Sequence, residues 1–456
     1  LQGCFALAIY DCYERLISLL RDQAGEKPLY YSVSDKDVLF ASELEALILT
    51  MDGCPKLDNQ SMLSYFSHGF SPIDRSLIEG VFKVKPGEMV KISLQDLTVR
   101  SVSAQPARKP IHRNLTENKR VDVLETLLTK SLVSILENDV STATLLSGGV
   151  DSSLVTALCH KQNDSIPAYH VSFPGSAKYD ESLVAKQVAK HIGVKLIEVP
   201  ITELKFSTFE KIIDKLDEPF VDTSILPTYL VAEAVGLDHK IAITGDGADE
   251  VFGGYKHYQR ALRLQKLRNL PMFSTHFFEL LSMIFHHRNK TRYARWSENC
   301  RSIIKGVPFY NMHLIDKPLF EKLFSNESYD AVRQQSLRDI ELANPQNYVN
   351  KLMQFDFKNY MVGDVLTKVD RASMMNAVEF RTPFLNQEVV CFANSLPIGD
   401  KVDVISRKKI VKELASKYLP SDYNFQRKAG FSIPIEEWLN TKSISENFLY
   451  LGGKSG

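Results

Sequence analysis

The chain has 456 residues, 44% of them hydrophobic and 24% charged, with 55 basic side chains set against 55 acidic ones. That composition fits an ordinary soluble protein of two or three domains with a sizeable core. The formal net charge of zero leaves no global electrostatic case for nucleic acid or an anionic membrane as a partner.

Residues 1 to about 105 read as β-rich. "CFALAIYD" and "KPLYYSVSDKDVLFASE" alternate apolar and polar positions around turn chemistry, and "VKPGEMVKISL" adds a Pro-Gly turn feeding another strand. The stretch Ser101 to Asn114 is aperiodic and contains two prolines. It points to a linker over 106–118 between a domain at 1–105 and a second at 119–456. Leu124, Leu127, Leu128, Leu132, Ile135 and Leu136 then form one apolar helical stripe.

From there strands and helices alternate. Strand "VSTATLL" leads to a helix from about Ser152, "IPAYHVSF" to the helix in "DESLVAKQVAKHIG", and "KLIEV" to helical segments near Thr208–Leu216 and Pro227–Val235. Strand "KIAIT" follows. This predicts an α/β fold, a doubly wound parallel sheet with helices on both faces, whose ligands bind at the carboxyl ends of the strands. Beyond about Tyr255 the chain reads as mostly helical, with the basic stretch His286 to Arg295 as a solvated helix end or loop.

The six cysteines show no C-x-x-C pair, so neither a zinc site nor a disulfide framework is expected. The longest apolar run, Phe273 to His287, is too short to span a bilayer and contains Glu279. No basic segment precedes an apolar one at the start, so no signal peptide is expected and the reading is cytoplasmic.

"TLLSGGVDSS" places Ser147, Gly148 and Gly149 where a strand ends and a helix begins. Glycines let backbone N–H groups turn inward, and the helix N-terminus adds partial positive charge, which makes an anion cradle. A Walker-type loop needs a lysine that is absent here. Instead the loop offers the Ser147, Ser152 and Ser153 hydroxyls and the Asp151 carboxylate. An acid beside a polyphosphate makes sense only with Mg²⁺ between them. "ITGDGADEVFGGY" repeats the pattern after another strand, with Asp246, Asp249 and Glu250. Two such strand ends can face one ligand, so Asp151 and Asp249 are expected to clamp one Mg²⁺–pyrophosphate.

Ser147 to Ser153 resembles the pyrophosphate loop of the N-type ATP pyrophosphatases. The wider pattern resembles the glutamine-hydrolysing asparagine synthetase family. It runs through "DEPFVDTSILPTYL", "TGDGADEVFGGY", "DVLTKVDRASMMNAVEFRTPFLN" and "RKAGFSIPIEEWL", while "LQGCFALAIYD" and "RDQAGEKPLYY" look like the second half of that family's glutaminase domain. The resemblance implies an AMP-forming amidation: a carboxylate attacks the α-phosphate of ATP, pyrophosphate leaves, and ammonia opens the acyl-adenylate. Aspartate is the expected carboxylate, with glutamine or ammonia as nitrogen donor. Relatives that amidate sugar acids or close rings, and a non-catalytic nucleotide-binding relative, are the alternatives. A tRNA-modifying enzyme fits less well, given the neutral charge and scattered thiols.

By the same resemblance Leu145 and Val171 border the adenine pocket, Thr244 and Gly245 touch the nucleoside, and Asp246 contacts substrate or intermediate. Lys428 stabilises charge on the pyrophosphate, and Asp364 is a further site contact. Asp364, Lys368, Asp370, Arg371, Glu379 and Arg381 alternate in charge, and part of this set is expected to be a structural ion network. One departure is Asn386, where relatives commonly carry Asp. The partners implied are small molecules, with a homodimer left open.

A second departure is at the start. The family's glutaminase uses an N-terminal cysteine as nucleophile, whereas residue 1 here is Leu1 and Cys4 sits inside a segment read as a buried strand. The expectation is a fragment of a longer chain, with a natural variant lacking glutaminase activity as the alternative. The end at "LGGKSG" is likewise read as open to truncation.

Overall fold

The computed structural model describes residues 1–103, 115–137, 140–176, 178–203, 205–265, scattered helical residues between 276 and 304, and residues 317–324 and 348–426. The expected linker core, the basic stretch (except for Tyr293) and Lys428 lie outside them. Two compact units emerge, each discontinuous in sequence: Leu1–Arg113 with Gly247–Asp364 and Cys391–Ile410, and Asn114–Asp246 with Val365–Val390 and Val411–Gly456.

In the first unit, strands β1 (Ala6–Asp11), β2 (Leu16–Arg21), β3 (Tyr30–Val33), β4 (Val38–Ala41), β5 (Phe82–Lys83), β6 (Glu88–Ser93) and β7 (Val99–Ser103) build two antiparallel sheets, ordered β1-β2-β6-β7 and β4-β3-β5. Period-2 alternation puts Leu19, Val90 and Ile92 inward, where they pack with Leu29 and Val84. Two helices, α1 (Leu44–Thr50) and α2 (Asn59–His68), interrupt the strands. The Asp58 carboxylate caps α2 by accepting from the Ser61 amide at 2.7 Å. Two sequence expectations are corrected here. Cys4 precedes β1 and is only partly buried, while Ile9 and Tyr10 on that strand are 53% and 58% exposed. Strand β7 also takes in Ser101–Ser103, because they pair in register with Val90, Met89 and Glu88.

The second unit carries α3 (Glu117–Leu136), β8 (Thr142–Leu145), α4 (Val150–Gln162), β9 (Ala168–Ser172), α5 (Ser182–Ile192), β10 (Leu196–Pro200), α6 (Phe206–Ile213), α7 (Ile225–Gly236), β11 (Ile241–Ile243) and, after a return from the first unit, helix Thr367–Met374 and β12 (Glu379–Arg381). All five strands are parallel, in the order β10-β9-β8-β11-β12. The chain therefore winds outward from β8 in one direction and then restarts at β11 in the other. This is the doubly wound arrangement, and the β8–β11 boundary is its switch point.

Burial on both faces explains why β9 is buried throughout. Tyr169, Val171 and Phe173 join one core with Tyr229, Val231 and Val235 of α7 and with Phe380 of β12. Tyr229 is 1% exposed, and truncating it to alanine would cost about 3–5 kcal/mol. Alternation turns Ala168, His170 and Ser172 to the opposite face, the side of α4 and α5. Among the described residues no helix is long and apolar enough to cross a membrane.

Candidate functional site

In a parallel sheet a crevice opens outside the carboxyl ends of the strands where the winding reverses. Here it lies between the loops that follow β8 and β11. The first runs from Leu146 to Gly149 and enters α4. Its turn requires φ +84° at Gly148, and a Cβ there would press on the Ala185 amide and the Val184 side chain. Glycine alone fits both demands.

Gly149 caps α4 without a side chain of its own. The loop is closed internally instead: Ser147 N donates to Ser152 Oγ at 3.2 Å, the two hydroxyls lie 2.9 Å apart, and Gly149 N donates to Ser147 Oγ at 3.3 Å. Asp151 stands in the first turn of the helix, where the partial positive charge of the N-terminus favours a carboxylate. Ser153 is fully buried, so its hydroxyl is turned into the protein.

The second loop meets the first. Thr244 extends β11 by donating its amide to Arg381 O at 2.9 Å, and Gly245 lies against the backbone of Asp151 and Ser152. A Cβ at Gly245 would stand 2.8 Å from Ser152 N, so only a glycine allows this approach. Thr382 Oγ1 then donates to the Asp246 carbonyl at 2.6 Å and fixes the exit of the loop. The structure thus brings Ser147–Ser152 and Thr244–Asp246 to one edge of the sheet. Leu145 packs against the core cluster that contains Val171, which is 6% exposed.

Asp249, Glu250 and Asp364 belong to the first unit. Asp249 lies on α8 (Ala248–Phe252) and is paired with Lys408 Nζ at 2.8 Å. Lys408 is buried and adopts φ +52°, a strained conformation for a residue with a side chain. Glu250 is buried beneath, bonded to the Tyr255 hydroxyl, and burial followed by the Asp249 charge pushes its carboxyl up to about 8. Asp364 is buried in an unusual π-helix, Asp356–Leu366.

The expected ion network is present in the second unit. Arg371 pairs with Asp217, Arg381 with Glu379 at 3.0 Å, and Lys368 with Asp222 at 3.0 Å while also donating to Ser224 Oγ at 2.9 Å. Burial works to raise the Asp222 carboxyl, but the Lys368 charge and the bonds from Ser224 outweigh it and hold it below the usual range.

Sequence reasoning missed three partners of the loops. Lys408 left no signal beyond a run of basic residues. His170 donates from Nδ1 to Leu146 O at 2.8 Å, and Tyr423 donates to Gly148 O at 2.8 Å across 275 positions of sequence. A polar residue inside the apolar run "AYHVSF" hinted at His170; nothing local could have found Tyr423.

Among the described residues no three His, Cys, Asp or Glu side chains converge to hold a metal unaided. Mg²⁺ does not require that, since it commonly takes one or two carboxylates together with substrate phosphates and water.

Comparison with known proteins matches residues 123–450 to the family described as asparagine synthase and residues 1–102 to a glutamine amidotransferase domain. The chain is similar to asparagine synthetase (glutamine-hydrolyzing) 1 of Bacillus subtilis, 28% identical over 97% of this chain and 69% of that protein. A putative asparagine synthetase (glutamine-hydrolyzing) of Mycobacterium bovis is 26% identical over 98% and 69%. Amidase chyE of Penicillium rubens is 23% identical over 94% and 69%.

Proposed function

We infer the reaction from the premise that this chain belongs to the asparagine synthase family and is therefore an amide-forming ligase. The proposed activity is ATP-dependent amidation of a carboxylate through an acyl-adenylate. A carboxylate oxygen of the acceptor attacks the α-phosphorus of ATP, and the bond to the β,γ-pyrophosphate breaks. Ammonia then adds to the acyl carbon, AMP leaves with the electron pair, and the nitrogen loses a proton.

One observation supports this reading above the others. Gly245 lies against Asp151 and Ser152 at the switch point of the sheet, so a glycine turn, a helix N-terminus and a second strand end converge where a pyrophosphate could be held. In this assignment Ser147, Gly148, Gly149 and Ser152 hold the leaving pyrophosphate by N–H and hydroxyl donors, which gain strength as charge accumulates on it. Leu145 and Val171 border the adenine, and Thr244 and Gly245 meet the nucleoside. Asp246 and Asp364 are assigned to the acceptor or the intermediate, and Lys428 to the pyrophosphate charge. Ser153 is assigned to the loop by its motif position; its side chain is buried.

Asp151 and, by its motif position, Asp249 would hold Mg²⁺; both offer the hard oxygen donors that this ion prefers. Bound there, the metal would neutralise the charge on the pyrophosphate. The Lys408–Asp249 pair orients the Asp249 carboxylate.

Aspartate is the proposed acceptor, supported by the names of the relatives from Bacillus and Mycobacterium. The test is pyrophosphate release from ATP and MgCl₂ by the purified chain with ammonium and a panel of carboxylates. Release with aspartate supports the assignment. Release only with another acid keeps the chemistry and changes the substrate, and silence with every acid rejects the activity.

A further inference from the structure

A loop that grips an anion with its N–H groups must send its carbonyl oxygens elsewhere, and each buried carbonyl needs a donor. Three carbonyls of the Leu146–Gly149 loop, those of Leu146, Gly148 and Gly149, are supplied. Gly149 O accepts from the Ser153 amide at 3.0 Å and the Ser152 hydroxyl at 3.2 Å, both on α4. The other two depend on side chains from outside the loop. Leu146 O accepts from His170 Nδ1, and Gly148 O accepts from the Tyr423 hydroxyl, each at 2.8 Å. Both rings are buried, His170 at 2% exposure and Tyr423 at 9%.

We propose that His170 and Tyr423 are positioning residues of the pyrophosphate loop, holding the Leu146 and Gly148 carbonyls away from the anion so that the loop's N–H groups and the serine hydroxyls they bond stay on its side. The inference rests on the reading of this loop as the pyrophosphate site. Each residue acts through a loop carbonyl, not on the reacting atoms.

The need is greatest at the Gly148–Gly149 peptide. Glycine occupies both halves of backbone space at little cost, so this peptide can flip and present the Gly148 oxygen where the Gly149 N–H stood. An oxygen there would repel a phosphate. The Tyr423 hydroxyl meets Gly148 O in the unflipped state, in which Gly149 N faces the Ser147 hydroxyl at 3.3 Å.

At the other side of the turn, a carbonyl can only accept, so His170 carries its proton on Nδ1. Burial favours this neutral ring, lowering its pKa against the smaller raising effects of the Leu146 bond, of Asp180 and of Glu198 on β10.

The experiment measures binding of inorganic pyrophosphate with MgCl₂ to the full chain by calorimetry, alongside thermal unfolding. Tyr423→Phe deletes one hydroxyl and keeps the ring. His170→Leu deletes the ring donor, and His170→Asn returns an N–H close to the Nδ1 position. Losing one buried donor is expected to weaken pyrophosphate binding about tenfold in Tyr423→Phe and His170→Leu, with His170→Asn restored to within about threefold.

Unchanged affinity in both deletion variants, with or without a lower unfolding temperature, would show a merely structural role and overturn the proposal. Asp151→Asn separates the two levels of inference. If it abolishes binding while Tyr423→Phe and His170→Leu bind normally, the loop reading stands and this inference falls. If the parent chain itself fails to bind pyrophosphate with MgCl₂, both fall together.

Discussion

Gly245 and Ser152 touch backbone to backbone: a Cβ on the glycine would stand 2.8 Å from the serine amide nitrogen and 3.0 Å from Asp151 Cβ. Two strand ends separated by nearly a hundred positions of sequence are thereby locked into one edge of the crevice. Because the contact is with backbone, no side chain can swing aside to admit a methyl group. Gly245→Ala must part the loops, and a displacement of about 1 Å at a reacting centre can cost about 100-fold in rate. The expected outcome is a loss of that order in pyrophosphate release with an unchanged far-UV spectrum. Full activity in this variant would show that the approach of the loops is immaterial.

In the proposed site Asp151 acts through its charge. Its carboxylate stands in the first turn of α4, where a helix N-terminus returns only about 0.3–1 kcal/mol for an acid. Asp151→Asn is therefore expected to fold nearly as well as the parent, while pyrophosphate release falls below detection. A variant that keeps more than a tenth of the parent rate would remove Asp151 from the site.

Gly254 is hemmed in by the Asp249–Lys408 pair. A Cβ there would overlap the Asp249 carboxylate and the Lys408 stem, and Arg407 donates to the Gly254 carbonyl at 2.8 Å. Gly254→Ala must push the ion pair apart, at an overpacking cost of about 1–3 kcal/mol. Thermal unfolding should show that loss, and a magnesium titration of activity should shift to higher concentration as Asp249 is displaced. If both curves match the parent, the pair does not govern the Asp249 carboxylate.

Lys401 gives a signature in pH. It is 3% exposed, and burial lowers its pKa from 10.5 to about 8, against a smaller opposing effect of Asp400. Between those two values the unfolded chain holds the proton more tightly than the folded chain. Stability therefore rises with pH from about 8 to 10.5, and below 8 the folded state carries the full penalty of a buried charge. Lys401→Met should stabilise the chain at pH 7 by about 1–3 kcal/mol and flatten that rise. Equal unfolding midpoints at pH 7 would mean that the ammonium is well solvated in the fold.

Much of this architecture could be read in the sequence because parallel strands buried on both faces leave unbroken apolar runs. "TATL" and "AYHVS" come close to such runs, interrupted by threonines in the first and by His170 and Ser172 in the second, and each is followed by an amphipathic or buried helix. The loop chemistry was equally visible, since glycines and acids at a strand end are local features. Other elements were not. Strand β12 has three residues, Glu379–Arg381, too few to show a period of two. The π-helix Asp356–Leu366 carries no distinct periodic signature beside an ordinary helix. The bond from Tyr423 to Gly148 and the pairing of Lys408 with Asp249 join distant positions, and only the tertiary fold creates them. The apolar run around Cys4 reads as a buried strand, whereas β1 is an edge strand with exposed side chains.

Under the proposed mechanism this chain transfers AMP from ATP to a carboxylate. Aspartate labelled with ¹⁸O in its side-chain carboxylate tests that directly when incubated with the chain, ATP, MgCl₂ and ammonium. The predicted result is AMP that carries one labelled oxygen in its phosphate, with unlabelled pyrophosphate. Label in inorganic phosphate, with ADP as the nucleotide product, would contradict the account by showing an acyl phosphate in place of an acyl-adenylate.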